Sequence, residues 1–441
     1  MIVFRTRRWL LTCGSLYILF LGLLGMGSAA ASGRDDGPAV QAIINHPNVA
    51  LARANVCRAR SSYDLALAGE RPQVDFSLRG GTSLKSRFEQ DTTRSRRFDD
   101  EDVDAVISLN QLLYDWGGIE ASKKSALSEQ AGNRLALLLE IDRVAADILD
   151  LGIKISEQQE RMALYQGHLR TIAPQIERIE AGVEAGVLRV GDLRSIKLTE
   201  LDAEIAITLS ERQLDLLEGE LDQRFGLNAA DLAVFLARFR QHRPHNPPVI
   251  ESRYSREIQR IDLQIEAAGY EIDRLEADRR PRLSSTFNST FFDVDSFSQE
   301  YEITGELQLS LPLYDGGSNQ ARQDEETWRR RGLTNQRENT IRQHRNATES
   351  TQRNIDRARE SLSRNVEKLS ALDDRLDEAR ARLGQTTGDS LTIVNINEQI
   401  VGIRSEQIAL SHQIELGILQ GVFFADALSD LLDLPHGGPQ C

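Results

Sequence analysis

The sequence contains few of the residues that metal centres, disulfide-rich folds and most catalytic sites require. Its 441 residues include 3 Cys, 7 His and 6% aromatic residues. It has no Walker A loop, no G-x-S-x-G or H-E-x-x-H motif and no pair of cysteines at zinc-binding spacing. We interpret His242 and His245 as linker residues because no further metal ligands cluster around them. We therefore expect no enzymatic activity, no metal and no cofactor.

Positive charge is also scarce. The chain has 53 Lys and Arg against 67 Asp and Glu, which gives a formal net charge of −14. Proteins that bind nucleic acids usually present a strongly basic surface. The acidic balance therefore argues against a nucleic acid as a partner.

A long hydrophobic run occurs only at the N-terminus. Residues 1–31 contain three Arg, then an apolar run over 9–26, then small residues, and this order predicts a secretory signal peptide. A membrane anchor is the alternative, because the apolar run approaches the length of a short transmembrane span. No later segment reads as a transmembrane helix, so a mature protein in a membrane would enter it through strands.

No cysteine stands at the signal junction, where a bacterial lipoprotein would carry its diacylglycerol. Cys13 would be removed with the signal peptide, which leaves Cys57 and Cys441. Two cysteines in an exported protein can pair, but the sequence does not place these two in contact. Their pairing stays open at this point.

The chain contains two copies of one unit. Residues 68–81 and 103–118 correspond to residues 276–291 and 301–317. Each copy has a helical approach, an Arg-Pro break, two strands and a Tyr-Asp-x-Gly stop, so the repeat extends over a whole structural unit. The predicted divisions after the signal peptide are a first copy at 32–241, a linker at 242–249 and a second copy at 250–441.

Each copy contains two segments in which apolar and polar residues alternate. The predicted strands cover 72–81, 103–114, 282–292 and 301–314. Four polar residues share one face of the last strand and are predicted to line a barrel lumen: Thr304, Glu306, Gln308 and Ser310. Such alternation over about ten residues is typical of transmembrane barrel strands. Four strands cannot close a barrel, which takes about eight, so several chains must share one.

Each pair of strands is followed by a long helical segment that turns back on itself. The predicted helical hairpins cover 118–226 and 318–430, with tip turns at 182–191 and 384–390. One seam recurs every seven residues in each copy, which predicts left-handed coiled-coil packing. Its residues are Ile141, Ile148, Ile155, Met162, Leu169 and Ile176, and then Ile341, Thr348, Ile355, Leu362, Leu369, Leu376 and Leu383. A single seam between polar faces suits the wall of a water-filled tube.

Together these features resemble the TolC family of outer-membrane exit ducts. The resemblance covers nearly the whole mature chain and rests on LYDWGG (113–118), RRPRLSSTFN (279–288) and above all LPLYDGG (311–317). It implies a mostly α-helical fold with membrane β structure, in which a homotrimer forms a shared β-barrel and an α-helical tunnel. It also implies the bacterial outer membrane and its lipid, a periplasmic adaptor protein and an inner-membrane ABC or proton-driven transporter.

The resemblance further implies functional positions at both ends of the helices. Strand-to-helix turns are expected at Tyr114, Asp115, Gly117, Tyr314, Asp315 and Gly317. The periplasmic tips, where the adaptor docks, are expected at Gly186, Asp192, Leu193, Gly388, Asp389, Asn395 and Glu398. In the second tip Val394 or Asn395 stands where the family has Asp, so a gating ring of acids would have to come from Asp389 or Glu398.

The expected function is that of a passive duct, which conducts exported proteins or small molecules delivered by an inner-membrane transporter. Type I protein secretion is slightly favoured over drug efflux, because many efflux ducts of the family carry a lipid-anchoring cysteine that this chain lacks. One alternative is a periplasmic adaptor, which should have one helical hairpin and a lipoyl-like sandwich. A second alternative is a soluble coiled-coil scaffold.

Overall fold

A computed structural model describes the unit Gly37–Cys441. The described residues are 37–81, 102–248, 255–292, 294, 300–382, 389–435 and 441. The predicted signal peptide at 1–31 lies outside the described residues, as do Leu383, Gly388 and the side chain of Asp389.

The two copies have the same order of elements, except that the first copy begins with one additional helix. The first copy consists of α1 (Pro38–Asn45), α2 (Pro47–Ala68), β1 (Gln73–Gly81), β2 (Asp102–Tyr114), α3 (Gly118–Glu184), α4 (Val190–Phe225) and α5 (Ala229–His242). The second copy consists of α6 (Arg256–Ala277), β3 (Arg282–Phe291), β4 (Tyr301–Ser310), α7 (Ser318–Ala381), α8 (Asp389–Phe424) and α9 (Leu428–Leu431). Each copy is therefore a β-hairpin followed by a long helical hairpin.

Three elements differ from the predicted ones. β4 ends at Ser310 rather than at 314, because Pro312 lacks the N–H group that strand pairing uses. α8 ends at Phe424 and α9 is a separate short helix, so the second hairpin stops before residue 430. Helix α5 is an addition to the predicted elements, and its apolar residues at helical spacing pack against α3.

The strands form one antiparallel sheet in the order β1-β2-β3-β4. The hairpins of the two copies join where β2 pairs with β3, and Tyr114 at the end of β2 lies opposite Leu283 at the start of β3. The pairing of these two strands shifts in register between Leu112 and Tyr114. β1 and β4 are the edge strands of this sheet.

The long helices pack along the predicted seams. α3 has 67 residues and α7 has 64, which at 1.5 Å per residue corresponds to about 100 Å each. α2, α4, α6 and α8 all pack against α3. The seam residues with at most 6% exposure are Ile141, Ile148, Ile155 and Ile176 on α3, and Ile355 and Leu376 on α7.

The largest apolar cluster surrounds the middle of α3. Helix α5 contributes Leu232, Phe235, Leu236 and Phe239 to this cluster, which also includes residues of α1, α8 and α9. Gly152 permits the close approach of α5, because a Cβ atom there would lie 3.2 Å from the side chain of Leu232. We call this cluster the α3 core.

The cysteine pairing left open by the sequence is present in the structure. Cys57 on α2 forms a disulfide with Cys441, the last residue of the chain. Disulfides persist in oxidising compartments such as the bacterial periplasm. The bond therefore agrees with a chain exported from the cytoplasm.

Candidate functional site

The sheet has one polar face that runs across all four strands. Cross-strand partners in an antiparallel pair point to the same side, so the register decides which residues share a face. The register aligns β1 Asp75 with β2 Ser108, β2 Ser108 with β3 Asn288, and Asn288 with β4 Thr304. The neighbouring rows on β3 and β4 pair Thr286 with Glu306, Ser284 with Gln308 and Arg282 with Ser310. The four polar residues predicted on β4 thus lie on one face with polar neighbours.

The opposite face of the sheet is apolar and exposed. Phe76 is 69% exposed, Ile303 69% and Leu307 71%. At Gly305 the ring of its partner Phe287 occupies the space of the missing side chain, because a Cβ atom there would lie 3.0 Å from Phe287 Cε1. A contiguous apolar face of this kind marks contact with lipid or with another protein.

No helix in the described part of the chain has both the length and the hydrophobicity needed to cross a bilayer. The described part also contains no cluster of His, Cys, Asp and Glu side chains that would hold a metal ion.

The two strand-to-helix turns use the same hydrogen bonds. Asp115 accepts a hydrogen bond from the Gly117 N–H at 3.1 Å through Oδ1 and one from the Ile119 N–H at 2.6 Å through Oδ2. Asp315 accepts the two equivalent bonds at 3.0 and 2.8 Å. Each aspartate thereby satisfies two of the free N–H groups at the start of a long helix.

Glycine is required where each of these turns enters its helix. Gly117 and Gly317 have φ values of 88° and 85°, a left-handed conformation that side chains disfavour. Hydrogen bonds from the backbone N–H groups of Asn319 and Gly317 lower the pKa of the Asp315 carboxyl. The preceding tyrosines are exposed: Tyr114 by 53% and Tyr314 by 89%.

The first tip is a tight turn between α3 and α4. Gly186 has a φ of 71°, and the N–H groups of Val187 and Leu188 donate to the carbonyl of Gly182 at 2.9 and 3.0 Å. Asp192 lies in the first turn of α4 and accepts a hydrogen bond from the Arg189 N–H at 3.3 Å. Leu193 packs against a small apolar cluster formed by Ile172, Ile176, Ile179, Ile196 and Val394. Val394 belongs to α8, so the first-copy hairpin contacts the second copy near its tip.

The second tip presents amide and carboxylate groups on α8. Val394 is fully buried in the cluster just described, whereas Asn395 and Glu398 are exposed. Asp389 begins α8. Of the residues predicted at the two tips, the structure brings Leu193 into the cluster of Val394 and leaves Asn395 and Glu398 at the surface.

A buried charge network in the helical region was not predicted. Asp142 on α3 is 1% exposed and accepts hydrogen bonds from Arg256 Nη1 and from the Ser429 N–H, both at 2.8 Å. Burial raises the pKa of the Asp142 carboxyl to about 6, although Ser429 and Arg256 act in the opposite direction. Asp142 follows the seam residue Ile141, but its neighbours Glu140 and Arg143 are also charged, so no sequence pattern singles out this site.

Known proteins share this arrangement of a two-faced sheet joined to long helical hairpins. The family model for outer membrane efflux proteins matches residues 39–226, which span the first copy up to the end of α4. The first copy of the chain is thus similar to the outer membrane efflux protein family. This similarity supports a location in the bacterial outer membrane, with the helical hairpins in the periplasm.

Solved structures share the fold of this chain over both copies. VceC from Vibrio cholerae is 16% identical with a TM-score of 0.69, and the match covers 86% of this chain and 95% of VceC. The open-state MtrE channel of Neisseria gonorrhoeae is 13% identical with a TM-score of 0.69, covering 91% and 88%. The outer-membrane channel OprN is 16% identical with a TM-score of 0.73, covering 91% and 90%. No curated protein sequence matches the chain significantly.

Proposed function

We propose that the chain is an outer membrane efflux protein and that three copies of it form one passive exit duct of a tripartite pump. The observation that carries the proposal is the open sheet: one chain supplies four strands with an apolar face that is mostly exposed. A sheet edge left open in lipid costs several kcal/mol for each unsatisfied backbone group. Pairing of β4 with β1 of the next chain removes these edges, and three chains then close one barrel of twelve strands.

The two faces of the sheet give the barrel its function. The apolar face contacts lipid, and the polar face with Thr304, Glu306, Gln308 and Ser310 lines the lumen. Hydroxyl, amide and carboxylate groups keep such a lumen filled with water. Transport through it is passive, and the energy comes from an inner-membrane ABC or proton-driven transporter, because the sequence contains no nucleotide-binding motif.

The helical tips are the proposed docking site for the periplasmic adaptor. The proposed docking residues are Gly186, Asp192 and Leu193 at the first tip and Gly388, Asp389, Asn395 and Glu398 at the second. In the second copy Val394 is buried and Asn395 is uncharged, so Glu398 is the exposed acid on α8 closest to the family position. We assign the narrowing of the closed entrance to the tips, with Glu398 as its acidic group.

The acidic entrance has a direct test. A carboxylate ring attracts cations, so the variant Glu398→Gln should weaken the block of channel current by divalent cations added from the periplasmic side by about tenfold. Gln399 is the adjacent residue without a charge, and Gln399→Asn serves as the matched control. Unchanged block in Glu398→Gln would remove Glu398 from the entrance.

We propose exported protein as the first class of cargo to test, since no cysteine stands at the signal junction for a lipid anchor. Small molecules are the second class. A secretion assay with a type I transporter and a drug-susceptibility assay in the same deletion strain separate the two classes, because a duct for one cargo should rescue one phenotype.

The duct itself is tested by single-channel recording. The detergent-extracted protein is reconstituted in a planar bilayer, and discrete conductance steps are expected. A protein that stays soluble without detergent and never conducts would contradict the duct and favour the coiled-coil scaffold.

A further inference from the structure

The two strand-to-helix turns differ at one position. Trp116 follows Asp115, whereas Gly316 follows Asp315. Both residues have positive φ values, 59° for Trp116 and 69° for Gly316. Glycine adopts this conformation freely, but a residue with a side chain does so at a cost. The presence of tryptophan in the first turn therefore calls for a compensating contact.

The compensating contact of Trp116 lies in the other copy. Its indole Nε1–H donates a hydrogen bond to the carbonyl of Pro281 at 2.8 Å. The guanidinium of Arg280 lies over the indole at 5.5 Å from the ring centroid, and the ring of Tyr114 meets it edge-on at 5.2 Å. Pro281 directly precedes β3. Trp116 thus ties the turn after β2 to the start of the strand that pairs with β2.

The second turn has no such side chain at its own junction. In the proposed trimer, the strand next to β4 is β1 of the neighbouring chain, and β1 is preceded by Arg71 and Pro72 just as β3 is preceded by Arg280 and Pro281. Gly316 occupies the position that corresponds to Trp116, and it has no side chain that could contact the Arg71–Pro72 pair of the neighbouring chain. The proposed barrel therefore has two kinds of junction between a strand-to-helix turn and the start of the adjacent strand. One kind lies within a chain, where the turn after β2 meets the start of β3, and the other lies between chains, where the turn after β4 meets the start of β1.

We propose that Trp116 is a positioning residue that fixes the junction between the two copies of one chain, and that Gly316 leaves the junction between neighbouring chains free to move. Movement of the tunnel helices relative to the barrel is then concentrated at the chain–chain junctions. The second half of this proposal rests on the proposed trimer, whereas the Trp116 contact lies within one chain.

Hydrogen–deuterium exchange of the full-length, detergent-extracted protein compares the two turns directly. Asp115 and Asp315 make the same hydrogen bonds to their helices. A difference in exchange between the two turns therefore reports on the residue that follows each aspartate, Trp116 or Gly316. Loss of one hydrogen bond with its packing corresponds to about tenfold faster exchange. We expect the amides at 317–319 to exchange about tenfold faster than those at 117–119.

Two substitutions at Trp116 distinguish the contribution of the indole ring from that of its N–H group. Trp116→Asn tolerates a positive φ but lacks the ring, and it should raise exchange at 117–119 to the rate of the second turn. Trp116→Phe keeps a ring without the hydrogen bond and should give an intermediate rate. Trp328 on α7, 65% exposed with Arg331 over its ring, provides the control Trp328→Asn, which should change neither turn.

The outcomes distinguish this proposal from the duct. Equal exchange of the two turns in a trimer would overturn the difference between junctions while leaving the duct intact. Unchanged exchange in both Trp116 variants would overturn the positioning role whatever the oligomeric state. If the protein proves to be monomeric, the duct fails, and slower exchange at 117–119 that is lost in Trp116→Asn would still support the contact within the chain.

Discussion

Ile148, Leu149 and Phe239 are fully buried in the α3 core, whereas Phe76, Ile303 and Leu307 on the sheet are more than half exposed. Both groups are large apolar side chains in regular elements. The α3 core buries its apolar residues with partners from its own chain. The disulfide between Cys57 and Cys441 also closes within the chain. In the proposed trimer, the sheet depends on lipid and on further chains for the same purpose. The proposal therefore divides the protein into an α3 core that is complete within one chain and a sheet that requires assembly.

The largest expected effect concerns the stability of the α3 core. Phe239→Ala removes a fully buried side chain from the α3 core and should destabilise the helical region by about 3–5 kcal/mol. Phe76→Ala is the matched substitution on the sheet, and it should lower helical stability far less. Urea unfolding followed by circular dichroism measures both. Equal losses in the two variants would contradict the distinction between the regions.

The next effect separates the two faces of the sheet. Leu307→Arg places a charge on the apolar face, where it costs about 2–4 kcal/mol near the middle of a bilayer. Gln308→Arg places the same charge on the adjacent, polar face, and it should leave assembly intact. The amount of trimer recovered from outer membranes measures the difference. Equal recovery of the two variants would show that Leu307 does not face lipid.

The smallest effect concerns the buried charge of the helical region. The pKa of Asp142 is raised to about 6 in the folded protein, above its value of about 3.9 in an unfolded chain. The folded state therefore holds the proton more tightly, and the resulting stabilisation is present below about pH 4 and is lost as the pH rises through about 6. Asp142 should contribute about 2–3 kcal/mol of pH-dependent stability in this window.

Melting temperatures between pH 4.5 and 7.5 test this sign, at values chosen to bracket the pKa of about 6. Asp142→Asn should abolish the decline that is due to this group. Asp430, which also contacts Arg256 but is 63% exposed, gives the control Asp430→Asn, which should keep the decline. A decline of equal size in wild type and Asp142→Asn would assign the pH dependence to other groups.

The sequence predicts the features that repeat along the chain. Period-two alternation indicates the strands, and the seam that starts at Ile141 indicates the long helices, because both patterns are local. The family and the fold class follow from these patterns together with LPLYDGG. The predicted end of β4 is too late, because the alternation of apolar and polar residues continues past Pro312 whereas the strand ends at Ser310.

Contacts between distant residues could not be predicted in this way. The indole of Trp116 reaches Pro281 across 165 positions, Asp142 binds Ser429 across 287, and Cys57 pairs with Cys441 across 384. None of these pairs has a fixed spacing that a motif could reveal. Each depends on the fold bringing the two copies together.

The mass of the detergent-extracted particle, measured by native mass spectrometry, tests the central claim most directly. The account predicts three copies of the chain, with β4 of each protected from exchange by β1 of the next. A single copy, stable in water and with both edge strands unprotected, would contradict the claim that the sheet is one third of a shared barrel.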